Sequence, residues 1–428
     1  MILHFTTLGC KVNQYETSAL QTILVERGHR LAKEGERAEA VIINTCAVTG
    51  ESVRKSRQAI RKAKAAHPGA ITAVCGCFSE LSPEEVADLE ADLIHGSTDR
   101  VTFVEALEAM HRGEHTSAEA PRAIDQHEFE PLPAGSLDSR TRALLKVQDG
   151  CENFCTYCII PYARGPVRSI SLDKAVAQAK ALARESYKEL VITGIEISSY
   201  GRDRPEGGEL VDLIEAICQA VPELRIRLGS LEPRTITEDF CTRLSIYPNL
   251  CPHFHLSLQS GCDDTLKRMG RHYNTARYFE SVTHLRKAFS DCAITTDLIL
   301  GFPGESQADF EASLAFMQKC RFSAVHVFPY SERKGTKAAE MDGQIPKAER
   351  TKRAKQARTT AEKLRQDFLR SQVGKTVSVL FESEEKDICL GHTPNYCTVR
   401  VEGSGLQNNV RDVWTYDVSG ETLLGNTL

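Results

Sequence analysis

The chain has 428 residues, of which 41% are hydrophobic and 26% charged, and its formal net charge is −5. This composition is ordinary for a globular protein, and the length allows two or three domains. No apolar run approaches the roughly 18 residues that a membrane-spanning helix requires, so we expect no membrane association. The 15 cysteines are odd in number and unevenly spaced. That pattern argues against a disulfide framework and predicts reduced thiols in a cytoplasmic protein.

The first 113 residues alternate between strand-like and helix-like segments. Short apolar stretches predict strands at residues 2–8, 40–44 and 71–75. Amphipathic or proline-started segments predict helices at residues 14–27, 52–66 and 82–89. Strands that alternate with helices predict a doubly wound parallel sheet. Residues 114–137 are rich in Pro, Ala, Glu and His without periodicity, and they predict a linker.

One cysteine stands just after each of the three N-terminal strands. These are Cys10, Cys46 and Cys77. Ligands of an open parallel sheet collect beyond the carboxyl ends of its strands, so these thiols are predicted to converge on one metal centre. Cys75 is a rival ligand, but it lies within its strand and is expected to point away from that end. The alternative is that each of these thiols is simply buried in the core.

The most informative motif of the chain is a C-x3-C-x2-C run formed by Cys151, Cys155 and Cys158. Three thiolates on one loop can hold three irons of a cubane cluster and leave the fourth iron open. An electron-transfer ferredoxin normally ligates all four irons, so an open iron indicates a cluster that binds something. A zinc site is the alternative, but no second C-x2-C knuckle accompanies this loop.

The rest of the chain predicts two further regions. In residues 138–370, strands are predicted at 143–148, 190–193, 225–229, 253–258, 294–300 and 323–328. Intervening helical stretches include residues 172–185 and 308–319, and six such strands are too few for a closed eightfold barrel. In residues 371–428, a small barrel is predicted from strands at 375–382, 387–392, 396–402, 409–414 and 421–425.

Two segments are strongly basic although the net charge of the whole chain is negative. Residues 53–64 carry six cationic side chains and no acid, and residues 347–370 carry nine against three acids. Both are predicted to be helical, and together they favour an RNA partner. In the second segment we name Lys352, Arg353 and Lys355 as candidate RNA contacts. The alternative for either helix is an ordinary solvated face.

These motifs resemble a known family over essentially the whole chain. The C-x3-C-x2-C run, with Tyr157 before its last cysteine, resembles the signature of radical S-adenosylmethionine (SAM) enzymes. With Cys10, Cys46 and Cys77 added, the chain resembles the methylthiotransferases, through LGCKVNQYET, INTCAVT, QDGCENFCTYCIIPYARGPVRS, LSLQSGCDDTLKRMGRHY, DLILGFPGES and HVFPYS. The branch that acts on threonylcarbamoyladenosine is the most similar. In the branch that acts on isopentenyladenosine the first cysteine is followed by Gln-Met-Asn, and in the branch that acts on a ribosomal-protein aspartate by Pro-Lys-Asn. In this chain it is followed by Lys11-Val12-Asn13.

The resemblance implies a reaction and its cofactors. It implies that a methylthio group is inserted at C2 of N6-threonylcarbamoyladenosine at position 37 of tRNA, in the anticodon stem-loop. Two [4Fe–4S] clusters and SAM would take part, one cluster on each set of three cysteines. An electron donor such as flavodoxin or ferredoxin and a sulfur donor are implied partners. The implied fold is an N-terminal parallel sheet, a partial (β/α)6 radical SAM barrel and a small C-terminal β-barrel of the TRAM type.

Candidate SAM contacts lie at the ends of the predicted barrel strands. By the same resemblance they include Tyr157 and five polar side chains, namely Thr193, Glu196, Arg234, Ser257 and Gln259. A solvent-facing loop position is the alternative for Glu196. Glu305, near a predicted helix start, is expected to be either a cap or a ligand.

Candidate RNA contacts outside the basic helices are fewer. Arg164 and Arg168 follow the cysteine loop, and their guanidinium groups suit phosphate or carboxylate oxygens. Tyr162 and Tyr330 are candidates for stacking on an unpaired base, whereas Trp414 is predicted to lie in the core of the C-terminal barrel. That barrel region has four basic and eight acidic side chains, which argues against RNA binding by the barrel alone.

A different class of function is a non-catalytic iron–sulfur protein that binds RNA or senses redox state. The polar motifs at the ends of six strands, all directed at one barrel mouth, would have no purpose in such a protein. The sequence therefore favours an enzyme.

Overall fold

The protein is described from a computed structural model, which covers residues 1–114, 121–134 and 141–428. Its N-terminal region is a five-stranded parallel sheet with helices on both faces, as predicted. The strand order is β2-β1-β3-β4-β5, with β1 Ile2–Thr7, β2 Arg30–Leu31, β3 Ala40–Thr45, β4 Ile71–Gly76 and β5 Leu93–Ile94. The helices are α1 Lys11–Glu26, α2 Gly50–Ala66, α3 Cys77–Leu81, α4 Pro83–Ala87 and α5 Arg100–His111.

The helices of this region differ from the sequence prediction in two places. The predicted helix at 82–89 is α4, and the short α3 before it was not predicted; α3 ends where Ser82 leaves the helical conformation (φ −145°) before Pro83 opens α4. The helix predicted from residue 14 begins at Lys11, immediately after Cys10. Since Cys10 provides no side-chain cap, the usual sequence signal for a helix start is missing there.

The central region contains the six predicted strands, which are parallel, and two further short strands, the antiparallel β7 and the parallel β10. They form two four-stranded sheets of order β7-β6-β8-β9 and β10-β11-β12-β13. The strands are β6 Arg142–Asp149, β7 Arg168–Ser169, β8 Glu189–Gly194, β9 Arg225–Leu228, β10 Ser230–Leu231, β11 His253–Leu256, β12 Ala293–Leu300 and β13 Ala324–Pro329. The helices are α6 Ile160–Arg164, α7 Leu172–Ala183, α8 Leu210–Ala220, α9 Glu238–Leu244, α10 Asp263–Arg268, α11 Thr275–Ala288, α12 Gln307–Cys320 and α13 Lys347–Arg370. One continuous apolar core joins these strands to the surrounding helices.

The C-terminal region is a closed five-stranded barrel, as predicted. Its strands follow the order β14-β15-β16-β18-β17, with β14 Thr376–Glu385, β15 Ile388–His392, β16 Thr398–Glu402, β17 Val410–Ser419 and β18 Thr422–Thr427. This barrel packs on the amino end of the central strands, where Arg227 donates to the carbonyl oxygen of Pro394 (2.9 Å) and Arg225 to that of His392 (3.1 Å). No helix in the described residues is long and apolar enough to cross a membrane.

The described part of the predicted linker packs against α1 and α3 of the N-terminal region. It also contacts the central region, where Gln178 of α7 donates to the carbonyl oxygen of Leu132 (3.0 Å). The Tyr15 hydroxyl donates to the carbonyl oxygen of Leu132 (2.8 Å), and the backbone N–H of Ala123 donates to Glu80 (2.8 Å). Ala123 and Leu132 are both buried. Residues 121–134 therefore form part of the interface between the N-terminal and central regions.

Candidate functional site

Strand register brings the three N-terminal cysteines to one edge of the sheet. Thr7 pairs with Asn44, and Thr45 pairs with Gly76, so β1, β3 and β4 end at the same level. Cys10, Cys46 and Cys77 each follow one of these strand ends. Parallel strands that end in register deliver their following residues to a common cleft.

Tight backbone turns hold these cysteines in place. Gly9 has φ +103°, a conformation that glycine alone adopts readily, and a Cβ at Gly9 would lie 2.9 Å from the Cβ of Cys46. The Asn13 amide donates to the carbonyl oxygens of Leu8 (2.7 Å) and Thr45 (3.0 Å), which ties the first strand end to the second. Gly9 thus allows the first cysteine loop to approach the second closely.

The Cys77 thiol lies nearest to a positive charge. Its sulfur accepts a hydrogen bond from Nε of Arg164 at 3.2 Å. Burial raises the pKa of Cys77 to about 12, Arg164 opposes this, and Cys10 and Cys46 raise it further. The three thiols follow neighbouring strand ends, whereas Cys75 is buried with Phe103 and Leu107 in the core on one face of the sheet.

The second cysteine set lies on the loop between β6 and α6. Gly150, just before Cys151, has φ +74°, and a Cβ there would meet the carbonyl oxygen of Pro166 at 1.7 Å. The backbone N–H of Ile160 donates to the sulfur of Cys158 at 3.4 Å. Arg271 donates to the sulfur of Cys155 at 3.1 Å. Donors directed at sulfur are what an anionic thiolate cluster requires, since such hydrogen bonds stabilise its charge.

Both cysteine sets fit an iron–sulfur cluster by their chemistry. One set follows three neighbouring strand ends and the other lies on one loop, and in each set one guanidinium reaches a sulfur. Burial raises the pKa of Cys151 and of Cys158 to about 12. Since the thiolate is the metal ligand, metal binding must displace these protons, and metal affinity will rise with pH.

A buried network of ion pairs joins the two sets. Glu16 of α1 accepts hydrogen bonds from Arg164 and Arg100 and pairs with Lys146 of β6 (3.1 Å). Burial opposes ionisation of Glu16, but the three cations hold its pKa well below the ordinary value. The five-residue helix α6 begins two positions after Cys158 and ends at Arg164, which contacts Cys77.

The predicted RNA contacts of Arg164 and Arg168 are wrong. Both side chains are fully buried. Arg164 pairs with Glu16, and Arg168 lies near Asp149 (3.7 Å) and donates to the carbonyl oxygen of Arg164 (2.9 Å). As the sequence predicts, both guanidinium groups bind oxygen atoms. These oxygen atoms belong to carboxylates and carbonyls of this chain and not to RNA.

The candidate SAM residues lie at the carboxyl ends of the central strands. Glu196 follows β8, and burial raises its pKa while Arg271 lowers it. Its backbone N–H donates to the side chain of Gln148 (2.7 Å), which also donates to the carbonyl oxygen of Gly150 (2.7 Å), just before Cys151. Arg234 binds Glu232 through Nε at 2.8 Å, so it already has a carboxylate partner within the chain. Thr193 is buried near the end of β8.

Ser257 and Gln259 follow β11, and both are partly buried. Gln259 has φ +67°, in the left-handed region that a non-glycine residue seldom adopts. Its backbone bridges to β12, with its N–H donating to the carbonyl oxygen of Asp297 at 2.9 Å. Strained backbone of this kind concentrates at functional sites, because surrounding structure must hold it.

The aromatic candidates have unequal access to a substrate. Tyr330 is buried, with its ring edge against Phe302 at 5.3 Å, so it is not available for stacking on a base. Tyr157 meets the same Phe302 ring edge-on at 6.5 Å. Tyr162 is 45% exposed and contacts the equally exposed ring of Phe154, beside the cysteine loop. Of the two predicted stacking residues, only Tyr162 is accessible.

Two further predictions are corrected by burial. Trp414 is 44% exposed on the outer face of β17 and does not belong to the barrel core, which contains its neighbour Val413. Arg353 on α13 is buried and binds Glu305 at 2.8 Å, so it is not an RNA contact. Lys352 and Lys355 on the same helix are exposed. Glu305 is not the cap of α12, because Ser306 fills that role. Glu305 instead accepts a hydrogen bond from the N–H of Gly301 and holds the turn.

Sequence reasoning missed two residues of the site. Arg271 reaches the Cys155 sulfur from the segment after α10, and its guanidinium also lies over the Tyr273 ring. Asn13 fixes the first cysteine loop and accepts a hydrogen bond from Arg164 at 2.6 Å. Asn13 and Arg271 both lie in motifs shared with the family, LGCKVNQYET and LSLQSGCDDTLKRMGRHY. Only the fold shows that their side chains point at the cysteines.

Comparison with known proteins identifies the class of the central region. Residues 145–317 match the model of the radical SAM superfamily, and residues 3–96 match that of the uncharacterised protein family UPF0004. A radical SAM methyltransferase from Kitasatospora setae, TsrM, solved with cobalamin and a [4Fe–4S] cluster bound, shares the fold. Its TM-score is 0.59 at 14% identity, over 79% of this chain and 74% of that one. The fold and the cysteine loop thus define a radical SAM enzyme.

Full-length relatives identify the family. The threonylcarbamoyladenosine tRNA methylthiotransferase MtaB of Bacillus subtilis is 34% identical over 94% of this chain and 90% of its own length. That of Aquifex aeolicus is 35% identical, over 94% and 97%. A tRNA-2-methylthio-N(6)-dimethylallyladenosine synthase of Acetivibrio thermocellus is 31% identical, over 89% and 80%. The chain belongs to the radical SAM tRNA methylthiotransferases, a family that uses SAM and two [4Fe–4S] clusters.

Proposed function

We propose that this enzyme inserts a methylthio group at C2 of N6-threonylcarbamoyladenosine, at position 37 of tRNA. The observation that carries the proposal is the pairing of two three-cysteine sets across α6 and its terminal Arg164. It is supported by relatives named for this substrate at 34–35% identity over nearly the whole chain. The relative named for dimethylallyladenosine is somewhat less similar, at 31%.

In this proposal each cysteine set holds one [4Fe–4S] cluster with one open iron. Cys151, Cys155 and Cys158 would hold the cluster that binds SAM, and Cys10, Cys46 and Cys77 the cluster that carries the inserted sulfur. When bound, the first cluster supplies the electron that cleaves SAM to a carbon radical. The aromatic C2–H is not acidic, so radical chemistry from a cofactor is needed in place of acid–base catalysis.

The side chains of the chain itself bind, orient and shield. Glu196 is the proposed partner of the cationic amino group of SAM. Its backbone N–H donates to Gln148, whose side chain also donates to the carbonyl oxygen of Gly150, just before the cysteine loop. Four further proposed contacts lie on the cysteine loop or at the carboxyl ends of β8 and β11, namely Tyr157, Thr193, Ser257 and Gln259. Arg271 and Arg164 place a positive charge beside each set of thiolates. These charges stabilise the reduced, more anionic state of each cluster.

The wider proposal covers partners and organisation. We propose that a reductant such as flavodoxin or ferredoxin supplies electrons, and that a separate donor supplies sulfur, in the cytoplasm. The exposed Phe154–Tyr162 pair is the proposed contact for an unstacked base of the anticodon loop. We divide the chain into a methylthiotransferase domain (1–113), a connecting segment (114–137), a radical SAM core (138–370) and a TRAM-like barrel (371–428).

The proposal is tested by nucleoside analysis. Reconstituted enzyme, SAM and a reductant are incubated with tRNA that carries either threonylcarbamoyladenosine or isopentenyladenosine. Digestion and mass spectrometry should show the 2-methylthio derivative of the first nucleoside only. Modification of isopentenyladenosine alone would show that the enzyme belongs to the branch that acts on that nucleoside. A Cys151→Ala variant is the control, because it should cleave no SAM.

A further inference from the structure

Charged side chains line the lumen of the radical SAM barrel near its amino end. Leu145 and Val147 of β6 pack outward into the core, so the alternation of a strand directs Arg142 to the inner face. The same alternation directs Glu189 of β8 and Arg227 of β9 inward, because their neighbours belong to the outer core. The lumen is therefore polar although its walls are built from apolar strands.

Both arginines of this cluster already have carboxylate partners. Arg227 makes two hydrogen bonds to Glu189, at 2.7 and 2.8 Å. Arg142 binds Glu382 of the C-terminal barrel at 2.8 Å and also donates to the Tyr396 hydroxyl at 3.1 Å. Since these bonds use the acids of the cluster, neither arginine requires a further anion.

Lys11 is the cation of this cluster that has no partner. It is the first residue of α1, which packs against β6 and β8, and its side chain is accessible. Among the residues that the structure describes, none forms an ion pair or hydrogen bond with its ammonium group. The enclosing protein lowers the pKa of Lys11, Arg227 and Arg142 lower it further, and Glu189 opposes them. Repulsion from two guanidinium groups therefore acts on an ammonium that faces open space.

The charges around Lys11 leave an excess of positive charge. Besides Lys11, three arginines face the two carboxylates of Glu189 and Glu382, namely Arg142, Arg225 and Arg227. His253 lies nearby and adds no charge, because burial and the neighbouring cations hold its pKa well below the ordinary value. An incoming carboxylate would offset part of the excess through a charged hydrogen bond to the Lys11 ammonium.

We propose that Lys11 binds the carboxylate of the threonylcarbamoyl group, and so selects this nucleoside over one with an uncharged N6 substituent. The inference rests on the proposed function. That carboxylate is the one formal charge on the modified base, and Lys11 directly follows Cys10, a proposed ligand of the sulfur-carrying cluster. One loop would thus position both the sulfur and the substituent that identifies the substrate. An isopentenyl group would leave the ammonium unpaired, and sites built for a polar group reject analogues that lack it.

The test compares binding of three anticodon stem-loops to the reconstituted enzyme under anaerobic conditions. The stem-loops carry threonylcarbamoyladenosine, its methyl ester or isopentenyladenosine, and Kd is measured by fluorescence anisotropy. Wild type should bind the free carboxylate about 10- to 100-fold more tightly than the ester, the usual range for a charged hydrogen bond. Lys11→Met should bring this ratio close to one, while Lys11→Arg should keep most of it.

Two controls separate recognition from damage to the cluster. Iron per chain is measured for each variant, because Lys11 neighbours Cys10, and the ratio of acid to ester is internal to each variant. Lys33→Met makes the same substitution at an exposed lysine near the amino edge of the N-terminal sheet and should leave the ratio unchanged.

The possible outcomes distinguish this inference from the proposed function. If wild type prefers the free carboxylate and Lys11→Met keeps that preference, Lys11 does not bind the carboxylate, although the proposed substrate stands. If wild type binds and modifies the isopentenyl stem-loop instead, the proposed function fails and the inference fails with it. Loss of the preference in Lys11→Met alone supports both.

Discussion

Arg164 contacts both halves of the site through a side chain that is fully buried. It pairs with Glu16, is shielded from solvent, and donates a hydrogen bond to the Cys77 sulfur. Arg164→Met should therefore lower the free energy of unfolding by about 3–5 kcal/mol, because it breaks a buried ion pair and leaves only Arg100 and Lys146 beside Glu16. Urea unfolding measures this, with Arg61→Met, an exposed arginine on α2, as the matched control.

Arg164→Lys separates charge from geometry at the same position. Lysine keeps the positive charge but cannot bind Glu16, Asn13 and Cys77 together through one planar fork. We expect part of the stability loss to return relative to Arg164→Met. A methionine variant as stable as wild type would show that the buried network does not hold the two regions together.

His95 provides a pH-dependent contribution to stability. Burial lowers the pKa of His95 to about 4, with Arg100 acting in the same direction. The unfolded chain takes up a proton below its ordinary value of about 6.5, whereas folded His95 stays neutral until about pH 4, so stability falls as pH falls through this window. Between pH 7 and 5 the loss should be about 2 kcal/mol, and it should be absent from His95→Gln.

The control for this prediction is His272→Gln, at an exposed histidine. It should show the same pH dependence as wild type in thermal or urea unfolding. Equal slopes for His95→Gln and wild type would mean that His95 is protonated in the folded protein as readily as in the unfolded chain.

At the scale of elements, the basic residues of α13 lie in two different environments. Arg353 and Arg350 turn inward, to Glu305 and to the carbonyl oxygen of Tyr330. Lys352 and Lys355 face solvent. Reversing the charge of both lysines to glutamate should weaken tRNA binding and reduce the dependence of log Kd on log salt by about 1–2, roughly one unit per lost phosphate contact.

A salt titration of tRNA binding checks this prediction. Lys33→Glu makes one such charge reversal at the amino edge of the N-terminal sheet and should leave the slope unaltered. An unaltered slope for the α13 variant would mean that this helix is an ordinary solvated face, which was the alternative from the sequence.

The elements themselves were largely predictable, because apolar strands and long periodic helices carry local signals. The six central strands and the five barrel strands were confirmed within a few residues. Helix starts were predicted less well, since Cys10 lacks a capping side chain and the five-residue α3 before Ser82 is too short to show a periodic pattern. Trp414 lies outside the barrel core because alternation along β17 directs Val413 inward and Trp414 outward.

At the scale of the whole molecule, the C-terminal barrel closes the amino end of the radical SAM barrel. The Tyr396 ring stacks on His253 at 4.9 Å and on His392 at 4.7 Å, and the Arg227 guanidinium lies over it at 4.6 Å. Tyr396→Ala should destabilise this junction by about 2–3 kcal/mol, the sum of the lost ring contacts. Limited proteolysis should then release the C-terminal barrel faster than in wild type.

Tyr396→Phe is the matched control, because it keeps the ring and removes only the hydroxyl that Arg142 binds. It should resist proteolysis nearly as well as wild type. Equal cleavage of the alanine variant and wild type would show that the junction depends on the surrounding ion pairs alone.

Contacts between distant segments were beyond the sequence. Cys77 and Arg164 are 87 positions apart, and Arg142 and Glu382 are 240 apart. When the carboxylate partner of an arginine is distant in sequence, the sequence alone suggests that the arginine is a surface charge. For this reason the sequence predicts RNA contacts at Arg164, Arg168 and Arg353. The cysteine sets were predictable because strand ends and a short loop position them locally.

The most direct test of the account is the number of irons that the two cysteine sets hold. After anaerobic reconstitution, iron and sulfide are counted per chain for wild type and for the combined Cys10→Ala, Cys46→Ala and Cys77→Ala variant. Two cubane clusters predict about eight irons in wild type and about four in the variant. About four irons in both proteins would contradict the second cluster, and with it the proposed insertion of sulfur.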